Sequence, residues 1–545
     1  MSRFNTRNLQ AKPAVTQASS PMSTTSKQTP DTFTHNGAAG WAKTPQTELF
    51  LRLTAAFSGG QKSFYESAEN RDGRLVSLTH KLAVEDPEFV FELARWARTE
   101  GNIRTGALMV AAEFAKARLD AGLHGRAGTR VGQPDKQWAE VTSRSIIDAV
   151  LERADEPGEM IAYWHAVYGR RIPKPVKRGI ADAVRRLYTE RSLLKYDTAS
   201  HSIRFGDVLE LTHAAPRQDA TWQGDLFKFA LDRRHGNDEE IPASLGMLQL
   251  NRELYRTGDF NRWFKPETLK AAGITWEDML SHVGPRTQKK RVWEAIIPSM
   301  SHMALLRNLR NFDEAGVSDE VAQQVITRIS TAEEVAKGRQ FPFRYLAAYQ
   351  HAPSLRWSYP LEQALGHSLA NVPALGGRTL IMVDRSGSMF GPMSDRSKLT
   401  LADSAAIFGS ALALRAQSAT LVQFGTRHAE VPFRKGESVL RLLQKFSSLG
   451  GTNTVEALRS HYNRHDRVVI VTDEQASYSH LGTVSQQVPA HIPVYTWNLA
   501  GYAQSQMPSG SEARFLFGGL TDKAFTMIPL IEAGRDGSWP WSSAQ

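Results

Sequence analysis

The sequence TLIMVDRSGS at residues 379–388 determines the fold expected for the last third of this chain. Its first five residues form a continuous apolar run, which is typical of a strand that is buried on both faces of a parallel sheet. Three polar residues follow at alternate positions, namely Asp384, Ser386 and Ser388. Because open α/β sheets bind their ligands at the carboxyl ends of their strands, this stretch predicts both a strand and the edge of a binding site.

Strands and helices alternate after this stretch. Further strands are expected at residues 419–424, 468–472 and 493–497, and helices at residues 397–417, 439–446, 454–465 and 522–532. The alternation predicts a doubly wound α/β domain with a mostly parallel sheet. Pro373 and the pair Gly376–Gly377 precede its first strand, so we place this domain at residues 371–545.

Five oxygen-bearing side chains are expected at one edge of that sheet: Asp384, Ser386, Ser388, Thr452 and Asp473. Thr452 lies in a Gly-Gly-Thr-Asn-Thr loop that opens a helix, and Asp473 directly follows the apolar run at residues 468–472. Two carboxylates with three hydroxyls form a set of hard ligands that suits Mg²⁺. The alternative is that the serines and the threonine only cap the helices that follow them.

This set resembles the metal-ion-dependent adhesion site of von Willebrand factor A domains, whose five ligands fall on these five positions in order. The resemblance implies a bound divalent cation, with Mg²⁺ expected and Mn²⁺ as the alternative, and one coordination position open to an acidic group of a partner. The sequence contains no G-x-S-x-G, H-E-x-x-H or Walker A motif. We therefore expect a protein that binds its ligands and is not an enzyme.

Composition narrows the remaining possibilities. The chain has 545 residues, no cysteine and a formal net charge of +10, of which +3 falls on residues 371–545 and +7 on the rest. The excess favours an anionic partner, although a mildly basic soluble protein would show the same balance. No apolar stretch is long enough to cross a membrane, and the absence of cysteine is compatible with a reducing compartment, so we expect a cytoplasmic location.

The first 370 residues divide into a tail and a helical region. Residues 1–35 are rich in Ser, Thr, Gln and Pro with four basic residues against one acid, which predicts a disordered basic tail. Residues 36–370 show helical periodicity; in one example Asp86 and Pro87 open a helix that carries apolar residues from Phe89 to Ala97. Another helix is expected at residues 145–154. Many short helices of this kind predict a ring or solenoid of helical pairs, with a compact bundle as the alternative.

Several helical segments resemble the TROVE module of Ro autoantigen-type RNA-binding proteins. The matching segments are Gly59-Gly60 with Phe64-Tyr65, the run KRGIAD at residues 177–182, D-x-L-x-L-T-H-x-x-P at residues 207–216, ALLRNL at residues 304–309 and Pro342-Phe343-Arg344. The resemblance covers about residues 45–545. It implies a ring of HEAT-like helical repeats that is closed by the A-type domain. It also implies a ribonucleoprotein with Y RNA or a Y-like small RNA on its outer surface, and single-stranded 3′ ends of misfolded or unprocessed noncoding RNAs in its central hole, for RNA quality control.

Two RNA contacts carry over from the resemblance, Lys195 and His213. A third family contact, an arginine, falls on Ala199 here, so that contact is lost or shifts to Arg191 or Arg204. Lys and Arg neutralise phosphates, and the densest basic cluster of the helical region adds five further candidates: Arg170, Arg171, Lys174, Lys177 and Arg178. The alternatives are a solvated helix face for the cluster and a core or capping histidine at position 213.

Other functions remain open on the sequence alone. The chain could be a magnesium-dependent scaffold for protein interactions that binds RNA only incidentally, or a metal-dependent nuclease. The resemblance also implies, for a bacterial member, an exoribonuclease partner such as polynucleotide phosphorylase.

Overall fold

The computed structural model describes most of the chain in detail. The described residues are 32–33, 39–56, 68–101, 103–123, 141–258, 260–283, 289–338, 340, 342–352, 354–368, 372, 374–391, 400–500, 504–507, 513–518, 527–532, 539 and 541. The entry segment at residues 59–65 and residues 1–31 of the predicted tail lie outside these ranges. The last residues of the predicted tail form strand β1, Thr32–Phe33, which pairs with β2, Ala39–Ala42.

The helical region consists of short helices from residue 45 to residue 368. They are α1 Pro45–Ala56, α2 Ala68–Glu85, α3 Pro87–Thr99, α4 Thr105–Asp120, α5 Ser143–Val150, α6 Glu156–Tyr168, α7 Lys174–Leu187, α8 Glu190–Tyr196, α9 Phe205–Thr212, α10 Thr221–His235, α11 Gly246–Thr257, α12 Phe260–Trp263, α13 Pro266–Ala271, α14 Trp276–Val283, α15 Lys289–Ile296, α16 His302–Glu314, α17 Asp319–Ser330, α18 Ala332–Gly338, α19 Pro342–His351 and α20 Ser358–Ser368.

Local chemistry explains where α3 begins and where α5 ends. A carboxylate oxygen of Asp86 accepts a hydrogen bond from Phe89 N at 3.4 Å, and Pro87 occupies the first helical position, as expected from the sequence. The helix predicted at residues 145–154 instead stops at Val150. The reason is that Glu156 Oε2 accepts hydrogen bonds from Glu152 N and Arg153 N, at 2.7 and 2.9 Å, and this turns the chain into α6.

The last third of the chain contains a six-stranded sheet with helices on both faces. Its remaining elements are β3 Arg378–Asp384, α21 Leu401–Arg415, β4 Ser418–Phe424, β5 His428–Glu430, α22 Val439–Leu443, α23 Thr454–His461, β6 Arg467–Thr472, β7 Val494–Asn498, β8 Gln504–Ser505, β9 Arg514–Gly518 and α24 Met527–Glu532. The strand order is β5-β4-β3-β6-β7-β9, and only β5 runs antiparallel to its neighbour. This is the doubly wound α/β architecture expected from the sequence.

Some boundaries in the α/β domain differ from the prediction. β5 and β9 were not predicted, and α22 and α23 end at Leu443 and His461, several residues earlier than expected. After α23 the chain turns through Arg464, which has a positive φ of 50°, and then enters β6. A turn of this kind leaves no mark in the hydrophobic pattern, so the helix was predicted too long. Residues 397–399 and 522–526 of two predicted helices lie outside the described residues.

Three hydrophobic cores hold the molecule together. The first joins the helices from Leu49 to Leu248, and the second extends from Leu254 through α20 to one face of the sheet, where it includes Ile381 and Val383 beneath α21. The third covers the opposite face, around Leu380. The second core therefore includes residues on both sides of the expected domain boundary at residues 370–371.

The two ends of the chain also meet. β2 pairs with β8 in antiparallel fashion, and α1 contacts β9. The ring of Trp539 lies 4.8 Å from that of Phe89 and 5.5 Å from that of Phe50. The first helices consequently contact the α/β domain, as the last helices do through the second core. No helix in the described part of the chain is long and apolar enough to cross a membrane.

Candidate functional site

β3 and β6 lie side by side in the sheet, and the chain continues from them toward opposite edges. This change of direction opens a crevice outside the carboxyl ends of the two strands, where open α/β sheets bind ligands. Asp384 is the last residue of β3, and Asp473 directly follows β6. The register pairs Val383 with Val471, so the structure brings both carboxylates to this crevice.

Asp384 is fully buried at the bottom of the crevice. Its Oδ1 accepts a hydrogen bond from Ser386 N at 2.8 Å, and its Oδ2 accepts one from Thr472 Oγ1 at 2.6 Å. Burial raises the pKa of the Asp384 carboxyl, although these hydrogen bonds oppose the rise. Thr472 was not among the predicted site residues, and only its place at the end of the apolar run 468–472 could have indicated it.

Asp473 lies close to Asp384 and is 1% exposed. Burial, and after it the charge of Asp384, raises the pKa of Asp473 to about 7. The Ser388 hydroxyl is near enough to oppose part of this rise. Even so, Asp473 Oδ2 is a buried oxygen without a hydrogen-bond partner among the described residues. Ser388 Oγ lies 3.3 Å from Ser386 Oγ, so both serines face the same small space.

Thr452 reaches the crevice on a separate loop. Gly450 accepts a hydrogen bond from Gly387 N at 2.6 Å, which ties this loop to the serines, and Thr452 O accepts one from Ser477 N at 2.8 Å beyond β6. Gly450 has φ +82°, and a Cβ on it would lie 2.8 Å from Thr426 Oγ1, so a side chain is strained there. The Thr452 side chain is 1% exposed.

These side chains suit a divalent cation. Two buried carboxylates close to each other are costly without a compensating charge, and the unpartnered Oδ2 of Asp473 offers a free lone pair. All five predicted ligands are oxygen donors, which Mg²⁺ prefers. In the described part of the chain, no group of three or more His, Asp or Glu side chains is arranged to hold a metal. The candidate centre would therefore depend on its hydroxyls as well as on its two carboxylates.

One buried ion pair beside the centre was not expected from the sequence. Lys43 Nζ, just before α1, lies 3.1 Å from Glu474 Oε2, and neither side chain is exposed. Glu474 also accepts a hydrogen bond from Asn498 Nδ2 at 2.6 Å, and its own amide donates to Thr472 Oγ1 at 3.0 Å. The N-terminal segment is thus fastened to the residue that follows Asp473. No local pattern connects residues at opposite ends of the chain, so sequence reasoning could not find this pair.

The predicted basic cluster lies on the surface of the helical region. Four of its five residues are exposed and Lys177 is half-buried. We call residues 170–178 the basic cluster; it comprises the loop before α7 and the first turns of that helix. None of its five cationic side chains makes an ion pair with an acid among the described residues. The first turn of α7 contains no acid either, so the cluster adds its charge to the positive end of the helix dipole.

The basic cluster continues along one face of α7. Lys174, Arg178 and Arg185 are spaced by four and seven residues, which places them on the same side of the helix. These three exposed side chains extend over about 16 Å at 1.5 Å per residue. The adjoining flank of α7, which faces α5, is neutralised, because Asp182 and Arg186 pair with Arg144 and Asp148 of α5. A Cβ on Gly179 would lie 2.5 Å from a backbone oxygen of α5, so the two helices pack too closely for a side chain there.

Lys195 lies on α8, near the other end of α7. The ammonium of Lys195 is 5.0 Å from the centre of the Tyr196 ring, and the guanidinium of Arg153 is 5.2 Å from the same ring. Arg153 belongs to the loop that Arg186 contacts through Leu151 O at 3.0 Å. Lys195 is exposed, so its ammonium group is accessible to an anionic ligand.

His213 ends α9 in the left-handed conformation, with φ 54°, and its amide donates to Leu209 O at 2.9 Å. Its imidazole is exposed, so the interpretation as a core histidine is wrong, and the backbone of the residue performs the capping. Position 199 is an exposed alanine. Arg204, one proposed substitute for the missing arginine, pairs with Asp197 at 2.6 Å, which leaves Arg191 as the exposed candidate.

Comparisons with known proteins agree with the resemblance seen in the sequence. A profile described as the TROVE domain matches residues 267–357, from the start of α13 to the segment before α20. Telomerase protein component 1 of Mus musculus is 35% identical over 105 residues, which are 19% of this chain and 4% of that protein. The Rattus norvegicus protein of the same name is 40% identical over 77 residues, 14% of this chain and 3% of that protein. The chain thus spans only a small part of these relatives.

The fold resembles a solved structure over nearly its whole length. The crystal structure of the Ro (RSR) protein of Deinococcus radiodurans matches with a TM-score of 0.60 and 18% identity, covering 90% of this chain and all of that one. This likeness confirms the expected fold class, a ring of helical repeats followed by an α/β domain. The chain is thus similar to TROVE-domain proteins over residues 267–357 and to the Ro fold over nearly its whole length.

Proposed function

We propose that this protein binds small noncoding RNA through the surface formed by the basic cluster, the outer face of α7, Lys195 and His213. The observation that supports this most strongly is the set of unpaired cations along α7. Repulsion among them and with the helix dipole is unfavourable in the free protein, and a polyanion would relieve it. We take this polyanion to be RNA because the fold is similar to that of a Ro protein. Lys and Arg would gain affinity for RNA by releasing the counterions of its phosphates.

The finer proposal concerns which RNA is bound and where. A Y-like small RNA would occupy this outer surface, while single-stranded 3′ ends of misfolded or unprocessed RNAs would enter the central hole, so that the protein serves RNA quality control or processing. Cations and exposed aromatic rings recognise the shape and the single strands of RNA more than a base code. We further propose action by binding without catalysis, a cytoplasmic location and an exoribonuclease, such as polynucleotide phosphorylase, as a partner.

A salt series of filter-binding measurements tests the RNA proposal. For a structured small RNA, the affinity of the native protein should fall steeply between about 50 and 200 mM salt. Replacing Lys174, Arg178 and Arg185 by Ala should reduce the slope of log K against log salt by about 2 to 3, at about 0.7 to 0.9 per phosphate contact. An RNA with a single-stranded 3′ extension should also bind more tightly than the same RNA with a blunt end.

The matched control removes the same charge from paired positions. Arg262, Arg310 and Lys337 are exposed cations that already pair with Glu253, Glu314 and Glu334. Their replacement by Ala should leave the salt slope close to that of the native protein. A slope near zero in the native protein, or an equal loss in both triple variants, would overturn the proposal that α7 contacts the RNA.

We also propose that the crevice at β3 and β6 binds a divalent cation, with Mg²⁺ first and Mn²⁺ second. Asp384, Ser386, Ser388, Thr452 and Asp473 would hold it. The unpartnered buried Oδ2 of Asp473 is the observation that favours this function. When bound, the cation supplies an open coordination position for an acidic side chain, so the α/β domain would capture an acidic protein partner while the helical ring holds RNA.

Thermal unfolding with and without Mg²⁺ tests the metal proposal. A cation that binds only the folded protein stabilises it by about 2.7 kcal/mol at one hundred times its Kd. Asp473→Asn should abolish this Mg²⁺-dependent increase in the unfolding midpoint, and in chelator it should be at least as stable as the native protein, because one of two repelling carboxylates is gone. Glu456→Gln, an exposed site on α23, should keep the full increase. An increase that survives in Asp473→Asn would contradict the assignment.

A further inference from the structure

A surface cavity of the α/β domain lies outside both sites described above. It has a volume of about 620 Å³ and is formed by residues 432–437 after β5, by Arg441 on α22 and by Lys445. α22 packs against α20, the last helix of the helical ring. The cavity therefore lies beside the junction between the ring and the α/β domain.

The acid that lines this cavity is already neutralised. Glu437 Oε1 lies 2.7 Å from Lys445 Nζ, and Glu437 Oε2 accepts a hydrogen bond from Arg434 N at 3.1 Å. The hydrogen bond from Lys445 holds the pKa of the Glu437 carboxyl below its usual range. Lys445 also donates to Pro432 O at 2.7 Å. Lys445 and Glu437 thus fix the shape of the loop, and the single negative charge of Glu437, which also acts on nearby Arg434, is paired directly with Lys445.

Three cations of the cavity have no such partner. Arg434, Lys435 and Arg441 are exposed, and none of them makes an ion pair with an acid in the part of the chain that the structure describes. Three like charges around one concave surface create a positive potential that concentrates anions. Two of the three are guanidinium groups, whose planar array of donors suits the oxygens of a phosphate.

The size and the remaining wall of the cavity indicate more than a free phosphate. A volume of about 620 Å³ is in the range of sites that hold an organic ligand. Phe433 lines the cavity and is half-buried against the core beneath it, so its ring is held in place. An aromatic ring beside unpaired cations is the arrangement with which proteins bind single-stranded nucleic acid, by stacking a base and neutralising its phosphate.

We infer that this cavity binds a nucleotide of single-stranded RNA, with the phosphate on Arg434, Lys435 and Arg441 and the base against Phe433. The inference rests on the proposed RNA function and extends the RNA path from the helical ring onto the α/β domain. It predicts that an RNA strand held by α7 can also contact the domain that contains the candidate metal centre.

Crosslinking tests the inference on the full chain. A single-stranded oligonucleotide that contains 4-thiouridine is bound, irradiated, and the crosslinked peptides are mapped by mass spectrometry. We expect crosslinks to the peptide that contains Phe433 as well as to peptides around α7. Replacing Arg434, Lys435 and Arg441 by Ala should abolish the Phe433 crosslink, keep those at α7, and reduce the salt slope by about 2, at about 0.7 per contact with a single strand.

The control removes three exposed arginines elsewhere on the same domain, Arg378, Arg415 and Arg459, and should leave the Phe433 crosslink intact. Crosslinks at α7 without any at Phe433 would overturn the inference but preserve the proposed function, whereas no crosslinks at either place would overturn both. If a free mononucleotide competes as well as the oligonucleotide does, the cavity is a nucleotide site and the inferred RNA path is wrong. If the control variant loses the Phe433 crosslink equally, the contact reflects only the overall charge of the domain.

Discussion

The cation at the start of α6 and the cations of the basic cluster before and within α7 show how differently the fold treats the same residue types. At the start of α6, Asp155, Glu156 and Glu159 are buried and surround Arg104, whose guanidinium lies 2.7 to 2.9 Å from all three. Burial disfavours the charged form of Arg104, but the three acids outweigh it and raise its pKa. The basic cluster before and within α7 is as rich in charge, yet it has no acidic partner in the described part of the chain.

The difference separates structural cations from those available to a ligand. Arg104 joins the beginning of α4 to the beginning of α6, so it holds two helices of the ring together. The cations of the basic cluster join nothing in the described structure, and they remain solvated until a polyanion approaches. Net charge alone does not reveal this distinction, since it counts Arg104 and the cations of the basic cluster alike.

The largest effect is expected from breaking the paired group. Arg104→Ala removes the cation that lies 2.8 Å from Glu159 and weakens the compensation of Asp155 and Glu156. All three acids are nearly fully buried. Removing one partner of a buried ion network typically costs about 3–5 kcal/mol. Urea unfolding followed by circular dichroism should show the loss as a lower midpoint.

The matched substitution in the unpaired group is Arg178→Ala. Its side chain is exposed and makes no ion pair in the described structure, so the free energy of unfolding should change by no more than about 0.5 kcal/mol. Equal destabilisation by the two variants would contradict the comparison.

A smaller effect should distinguish two adjacent arginines near the end of α7. Arg186 is exposed but pairs with Asp148 at 2.9 Å and Glu152 at 3.3 Å, whereas Arg185 has no direct ion pair among the described residues. Arg185→Ala should reduce the salt slope of RNA binding by about one phosphate contact and leave stability unchanged. Arg186→Ala should do the reverse and cost about 0 to 1 kcal/mol of stability. RNA affinity and urea unfolding are measured for both variants. Arg185→Ala should change RNA binding but not stability, and Arg186→Ala should change stability but not RNA binding.

The smallest effect is also the most specific to the basic cluster. Lys174 begins α7, where the helix dipole favours an acid. Lys174→Glu should stabilise the protein by about 0.3 to 1 kcal/mol and at the same time weaken RNA binding. Lys174→Gln is the intermediate control and should fall between the native protein and the glutamate variant in both measurements. A glutamate variant that is less stable than the native protein would indicate that Lys174 has a structural partner.

Much of the α/β domain could be predicted from the sequence because its elements are encoded locally. The apolar runs that became β3 and β6 each pack on both faces, and the polar residues after them follow from where each strand ends. β5 and β9 were missed because a three-residue edge strand and a strand within a weakly patterned segment show no clear periodicity. The helix at residues 145–154 was predicted too long because the carboxylate of Glu156 competes for the next amides.

The candidate sites show the same division. The order and type of the five oxygen donors were visible in the sequence, but Thr472 as a donor to Asp384 was not, because a threonine within an apolar run reads as one more strand residue. The basic cluster was visible as a local density of charge. That Arg204 is committed to Asp197 became apparent only from the positions of both side chains.

The sequence by itself determined the helices and strands that depend on neighbouring residues: the cap at Asp86, the buried strands and the oxygen donors that follow them. Tertiary structure alone decided which charges are paired. Lys43 meets Glu474 and Arg104 meets Glu159 because packing brings distant segments within 3.1 Å or less, and the same packing leaves Lys174, Arg178 and Arg185 of α7 without an ion pair among the described residues. The physical reason is that periodicity and capping act over a few residues of chain, whereas an ion pair depends on a distance in space that the whole fold sets.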